Sequence, residues 1–328
     1  MKIKSCNEYD PLKSVIVGIA DYANFPKNDI LYMSMMLQGG WTKSLPPEGP
    51  VSQNIIDEAN EDLEILADTL KSLDIDVYRP IPINFQEANG QYAYCPRDNL
   101  LVIDEFVIEA PMAVKARQIE MECYYNIRRE AIQDGAKWIV APKPRLSINE
   151  NLSNNGFKLN ELEPVFDAAN ICRFGNDLLY LVSNTANRIG AEWLQNVLGS
   201  EYRVHVTNVY NSAHIDSTIV PISNDTVVLN ASRVNEKNLP EFLKDWKKIY
   251  ITEDMVTAQK FEGYPYASKW IGINMLAIGN QYVICDKNQP HVIHELEKHH
   301  FEVIPLELRH ARTLGGGFHC VTLDLERS

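Results

Sequence analysis

No stretch of the chain approaches the ~20 consecutive apolar residues that a membrane-spanning helix requires. The start, MKIKSCNEYD, reaches Glu8 and Asp10 with no apolar run behind it, so a secretory leader is not expected either. Basic residues are outnumbered, and the formal charge of −13 argues against nucleic acid or an anionic membrane surface as a partner. Cysteines number six in 328 residues and lie far apart, at 6, 95, 123, 172, 285 and 320, with no CxxC. That spacing offers no disulfide framework and fits a reducing, cytoplasmic setting, where a cysteine matters through its reactivity. The LGGG run at 314–317 is followed by FHC rather than GK[ST], so it is not a phosphate loop. The tract HVIHELEKHH (291–300) lacks the HExxH spacing, and its histidines spread around a helix, which reads as a solvated face and not a zinc site. What remains is a soluble, acidic, globular protein.

What the chain does contain is a concealed repeat. Five times a helix-like stretch runs into a short strand rich in branched or aromatic residues: IDVYRP (75–80), AKWIVAP (136–142), YRVHVT (202–207), KKIYIT (247–252) and FEVIPL (301–306). Before the first, Ile55, Ile56, Ala59, Leu63, Leu66, Leu70 and Leu73 fall on one helical face. The other helices are expected over 115–133, 185–198, 240–246 and 290–299. Two strands split by a turn precede each helix: 99–103 with 106–110, 166–174 with 178–182, 214–222 with 226–230, and 273–278 with 281–286. The fifth pair needs both ends of the chain, 319–325 with 14–20, so the termini would close a ring. The expected fold class is α/β: a five-bladed α/β-propeller of ββαβ modules in one domain spanning residues 1–328. Residues 21–50 and 143–164 fit no module and read as long loops, the first a candidate lid.

Polar residues open the first strand of each pair: Asp98 in CPRDN, Asp167 in FDAAN, His214 and Asp216 in HIDST, Ser268 in ASKW and Cys320 in GGGFHC. A ring of modules would bring these positions to one centre. A thiol, an imidazole and a carboxylate are the parts of a nucleophilic site. Two further carboxylates suit a planar guanidinium, which they can hold bidentately. Strand alternation would set His214 and Asp216 on one face and turn His319 away from Cys320, making His319 structural. Gly315-Gly316-Gly317 would leave backbone amides free near the Cys320 sulfur and favour its thiolate. Cys123, Cys172 and Cys285 read as packing residues.

The segments NEYDPLKSVIVG (7–18), YCPRDNLLVI (94–103), GAKWIVAPKPRL (135–146), EPVFDAAN (163–170), HIDST (214–218) and TLGGGFHC (313–320) resemble the L-arginine amidinotransferases of the pentein superfamily, the group that includes glycine amidinotransferase. RFGNDLLYLVS (173–183) and SRVNEKNLPEFL (232–243) are most similar to the inosamine-phosphate amidinotransferases of streptomycin-type pathways. The resemblance runs in order over nearly the whole chain. It implies Cys320 as nucleophile, His214 as general acid and base, and Asp167 as the group orienting it. It further implies Asp98 and Asp216 as guanidinium ligands, with Arg233 and Ser268 binding the carboxylate of L-arginine. The implied mechanism is ping-pong through an amidino-cysteine, with ornithine leaving, an amine acceptor arriving and no metal or organic cofactor. A homodimer would also be in keeping with the resemblance.

Two positions depart from the glycine-type pattern. Residue 170 is Asn, as in the inosamine type, where glycine-type enzymes carry Asp. Residue 213 is Ala in place of Met, which is compatible with an acceptor larger than glycine. An inosamine phosphate would need basic groups, for which Arg128, Arg129, Arg145 and Arg312 are candidates by charge alone. Two other readings keep the fold: an arginine hydrolase with water as acceptor, and a binding module that has lost its chemistry.

Overall fold

A computed structural model describes residues 1–29, 32–33, 44–145, 152–153, 156–157 and 159–328. Most of the 21–50 segment's centre, and with it the lid expectation, lies outside the described residues, as does part of 143–164.

Five three-stranded sheets carry the architecture, each an antiparallel pair extended by a parallel third strand. In the first, Leu12–Val17 lies between Thr322–Arg327 and Asp76–Tyr78, so the two ends of the chain share a sheet. The others are Leu100–Ile103, Phe106–Glu109 and Lys137–Val140; Ile171–Phe174, Asp177–Leu181 and Arg203–Thr207; Ile219–Pro221, Thr226–Asn230 and Lys247–Ile251; and Leu276–Gly279, Tyr282–Asp286 and Glu302–Leu306. Parallel third strands need a crossover, and the helices supply it. Gln53–Ser72 buries Ile55, Ile56, Ala59, Leu63, Leu66 and Leu70 along one face. Arg188–Leu198 and Pro290–Lys298 serve the third and fifth units.

Two crossovers differ from expectation. The expected 115–133 helix is broken into Lys115–Gln118, a 3-10 stretch Ile119–Tyr124, and Tyr125–Gln133. Over 240–246 only a single 3-10 turn forms, Glu241–Leu243, with Pro240 at its N-cap, although the crossover is as long as the one that carries Pro290–Lys298. The 291–300 histidines sit on or beside Pro290–Lys298, and His291, His294, His299 and His300 are all exposed.

Alternate residues along each central strand point to opposite neighbours, and the core divides accordingly into five apolar clusters. One joins Leu323 and Ile16 of the first unit to Leu100 and Val102 of the second. The next joins Leu101 and Ile103 to Ile171 and Leu178. Further clusters join Leu179 to Val227 and Val228 to Val283. The last joins Ile284 of the fifth unit to Val15 of the first. Cys123, Cys172 and Cys285 pack in three of these clusters, and burial pushes the Cys123 and Cys285 thiols up to about 12.

A buried charge network joins the units at their ends. Arg173 and Asp324 are both fully buried, and both Asp324 oxygens accept from Arg173 Nη2 at 2.8 Å. Arg97 and Arg327 donate to the same carboxylate at 2.5 and 3.0 Å, and Arg327 also reaches the Ala277 carbonyl of the fifth unit at 2.9 Å. Arg173 Nε reaches Glu8 Oε1 at 3.3 Å. With every partner buried and paired, the network fixes how the units meet at considerable desolvation cost.

Candidate active site

The chemically active side chains stand just before the first strand of each unit, on short turns, and not within the strands. Asp98 lies in the single turn Pro96–Asn99. Asp167 caps the 3-10 turn Ala168–Asn170, in a reciprocal capping box with Asn170. His214 and Asp216 precede the strand that starts at Ile219. Ser268 is the N-cap of Lys269–Ile273, and its hydroxyl is not spent on that cap. Cys320 lies in a turn that ends before Thr322. His214 and Asp216 share the cavity while Ile215 packs into an apolar cluster, as alternation would have them, but at 319–320 the turn aims both His319 and Cys320 at Asp216, so the alternation argument fails there.

One small cavity, about 70 Å³ in volume, is lined by Tyr210, His214, Asp216, Arg233, Ser268 and Cys320, with Gly315 at its edge. The Cys320 thiol is 3% exposed and donates to Asp216 Oδ2 at 3.1 Å. Its amide and that of His319 both donate to Asn274 Oδ1, at 3.0 and 3.1 Å, so they are not free amides beside the sulfur. The expectation of a favoured thiolate is not met, because the surroundings of the sulfur act the other way. Burial first, then the charges of Asp216 and Asp98, push the thiol well above its usual value. The glycines permit close approach instead: a Cβ on Gly316 would come within 2.5 Å of Cys95 Sγ, and one on Gly317 within 2.7 Å of the Asn274 side chain.

His214 sits between two carboxylates. Nε2 is 3.0 Å from Asp167 Oδ2, and Nδ1 is 3.6 Å from Asp98 Oδ1. Burial works against the imidazolium, but Asp98, Asp167 and Asp216 together outweigh it and raise the ring from 6.5 to about 9. Asn170 donates to the Ala213 carbonyl at 3.0 Å and accepts from the Asp167 amide at 3.2 Å, so it holds both partners of the His214–Asp167 pair. Because the folded state binds the His214 proton more tightly, that stabilisation is complete below pH 6.5 and is lost as pH rises through about 9. The expected outcome is a fall in unfolding free energy over that window that is smaller in His214→Gln, measured by urea denaturation at a series of pH values. An unchanged pH slope in the variant would contradict it.

Asp98 is buried, and Arg117 Nη1 donates to its Oδ2 at 2.9 Å. Its Oδ1 has no hydrogen-bond partner among the described residues. Burial, the largest influence, raises this carboxyl despite His214 and Arg117. Asp216 is likewise buried, but the opposing pull of His319, His214 and the thiol holds its carboxyl well below the usual range. Arg233 is half-buried and has no carboxylate partner among the described residues; its guanidinium lies 3.7 Å from the Tyr210 ring and donates to Thr218 Oγ1 at 2.7 Å. A partly desolvated guanidinium without a carboxylate partner at a cavity wall has the geometry to accept one.

All seven residues expected at the centre gather here, Asp98 and Asp167 behind the His214 ring. Arg128, Arg129, Arg145 and Arg312 do not line the cavity. Arg128 pairs with Glu109, and Arg312 donates to the Ala267 and Gln259 carbonyls. Sequence reasoning missed Glu8, Arg117, Glu120 and Asn274, and it set His319 aside. Among the described residues, the trio of ligand-type side chains close enough to share an ion is Glu58, Glu262 and His310, which lines a separate cleft beside Arg309.

No protein-family model matches the chain. Individual relatives do. It is 42% identical to inosamine-phosphate amidinotransferase 1 of Streptomyces glaucescens, with 98% of this chain and 96% of the relative covered. It is 30% identical to the L-arginine:L-lysine amidinotransferase of Pseudomonas savastanoi pv. phaseolicola, covering 98% and 94%. Among solved structures, inosamine-phosphate amidinotransferase StrB1 from Streptomyces griseus superposes with a TM-score of 0.92 at 40% identity, covering 99% and 97%.

Proposed function

We propose, since the chain belongs to the L-arginine amidinotransferase family and has its pentein fold, that it transfers the amidino group of L-arginine to an amine through a covalent intermediate on Cys320. The observation that carries this reading is the thiol, imidazolium and carboxylate pair converging on one cavity whose wall holds an unpaired guanidinium.

The arginine side chain is a cation entering between Asp98 and Asp216, and its α-carboxylate reaches Arg233 and Ser268. Its positive charge offsets the two carboxylates that hold the thiol protonated, so the thiol releases its proton to solvent as arginine binds and the thiolate forms. The thiolate attacks the guanidinium carbon, giving a neutral tetrahedral adduct. The His214 imidazolium then protonates the δ-nitrogen, the carbon–nitrogen bond to it breaks, and ornithine leaves. An amidinium remains on sulfur and a neutral imidazole remains at His214. The acceptor amine attacks this carbon, gives its proton to His214 and displaces the Cys320 thiolate. Asp167 keeps the ring in place throughout. The steps need no metal or organic cofactor.

The fold supports a finer reading as well. Five sheets stitched by five clusters, the last joining fifth unit to first, are what a closed five-bladed ring would give, with residues 1–328 as one domain. The reading extends to a cytoplasmic homodimer.

The acceptor is an amine, and the relatives differ in theirs by name. Incubation with arginine and a panel of amines, followed by mass spectrometry, tests the reaction. The expected result is ornithine that rises only with one amine, which gains an amidino group. Citrulline, or ornithine with urea, formed regardless of amine would establish hydrolysis instead.

A further inference from the structure

We propose that His319 and Glu8 form a positioning pair that aims the Asp216 carboxylate at the reacting guanidinium, an assignment that rests on the transfer reading above. His319 is buried beside Cys320, and its two ring nitrogens face two carboxylates. Nδ1 is 3.0 Å from Asp216 Oδ2, and Nε2 is 2.8 Å from Glu8 Oε2. The same Asp216 oxygen receives the Cys320 thiol at 3.1 Å. Oδ2 is thereby fully engaged, while Oδ1 makes no hydrogen bond among the described residues and belongs to a cavity-lining side chain.

Asp98 is built the same way from unrelated residues. Its Oδ2 is held by Arg117, which is gripped in turn by both oxygens of Glu120 at 2.9 and 3.0 Å, and its Oδ1 is buried without a hydrogen bond among the described residues, 3.6 Å from His214 Nδ1. Each of the two carboxylates thus has one oxygen anchored by a buried basic group, that group anchored by a second buried carboxylate, and one oxygen without a hydrogen bond among the described residues. Incidental packing has no reason to produce this pattern twice. Glu8 is itself immobilised, accepting from the Arg173 amide and Nε at 3.2 and 3.3 Å. A carboxylate without such backing can rotate about its χ angles, and displacement by about 1 Å from the productive pose costs on the order of 10²-fold in rate.

The backbone around the pair does not depend on the imidazole. Asn274 receives the amides of His319 and Cys320 and donates to the Asp216 carbonyl at 3.2 Å. Side-chain replacements at 319 therefore report on aim more than on folding. The amide nitrogen of Asn occupies the place of His Nδ1, whereas that of Gln occupies the place of Nε2. His319→Asn keeps the donor to Asp216; His319→Gln keeps the one to Glu8 and abandons Asp216.

Steady-state kinetics with arginine and melting temperatures of both variants and of the unsubstituted protein make the test. The expected result is a kcat/KM for arginine lowered about 10²-fold in His319→Gln, mostly through KM, and less than about 10-fold in His319→Asn, at similar melting temperatures. Equal kinetics in the two variants, or an unchanged arginine KM in both, would overturn the positioning role and leave the transfer reading intact. No ornithine from the unsubstituted protein would overturn the transfer reading, and the pair with it.

Discussion

Cys320→Ser is expected to lower arginine-dependent ornithine release by at least about 10⁴-fold while the melting temperature stays close to that of the unsubstituted protein. The chemical half follows from the nucleophile. Serine's hydroxyl is far harder to deprotonate than a thiol, and no neighbour compensates, because His214 is engaged as an imidazolium between Asp167 and Asp98 and cannot act as a base in the resting site. The structural half follows from what holds the turn. Asn274 accepts from the residue-320 amide, and a serine hydroxyl can still donate toward Asp216 where the thiol does at 3.1 Å. Ornithine assay and thermal denaturation on the same preparation check both. Residual activity within about 10-fold would remove Cys320 from the chemistry.

Asp98→Asn is expected to lower kcat/KM for arginine by about 10³-fold without lowering stability. The unpartnered Oδ1 and the burial that raises this carboxyl mean that its charge is worse placed in the folded chain than in water. Neutralising it removes a cost to folding. Arg117 loses a charged partner but keeps both contacts to Glu120. What disappears is the charge that an incoming guanidinium would pair with. Kinetics and melting temperatures read the two effects separately, and a large fall in both would show that Asp98 is chiefly a folding element.

Much of the fold is legible in the sequence because strand-forming runs alternate with turn residues at regular intervals. The strands begin and end within a few residues of expectation in most units, as at 106–110 against Phe106–Glu109 and 247–252 against Lys247–Ile251. The expected fourth helix is reduced to the 3-10 turn Glu241–Leu243 after Pro240, and nothing in the length of its crossover, which matches that around Pro290–Lys298, distinguishes it in the sequence. Asp98, Asp167, His214, Asp216, Ser268 and Cys320 could be found because they stand ahead of the first strand of their units, whereas Arg233, which follows Thr226–Asn230, came only from the family resemblance. Glu8 and Glu120 could not, since neither occupies a repeated position, and their roles arise only when distant segments meet at His319 and Arg117. His319 was set aside on the assumption that the strand already runs through it, whereas the chain turns until Thr322. Burial was equally invisible: three adjacent glycines suggested exposed amides and an acidic thiol, but Asn274 takes the amides of His319 and Cys320, and burial and Asp216 oppose the charge.

The central claim is a covalent amidino group on Cys320. The direct measurement is to mix the protein with arginine in the absence of any amine, quench in acid, digest and map the modified peptide by mass spectrometry. The account predicts one amidino group, carried by Cys320, with a stoichiometric release of ornithine, and loss of the adduct when an acceptor amine is added before the quench. Ornithine formed in many turnovers with Cys320 unmodified at every time point, or an adduct carried by another cysteine such as Cys95, would contradict it.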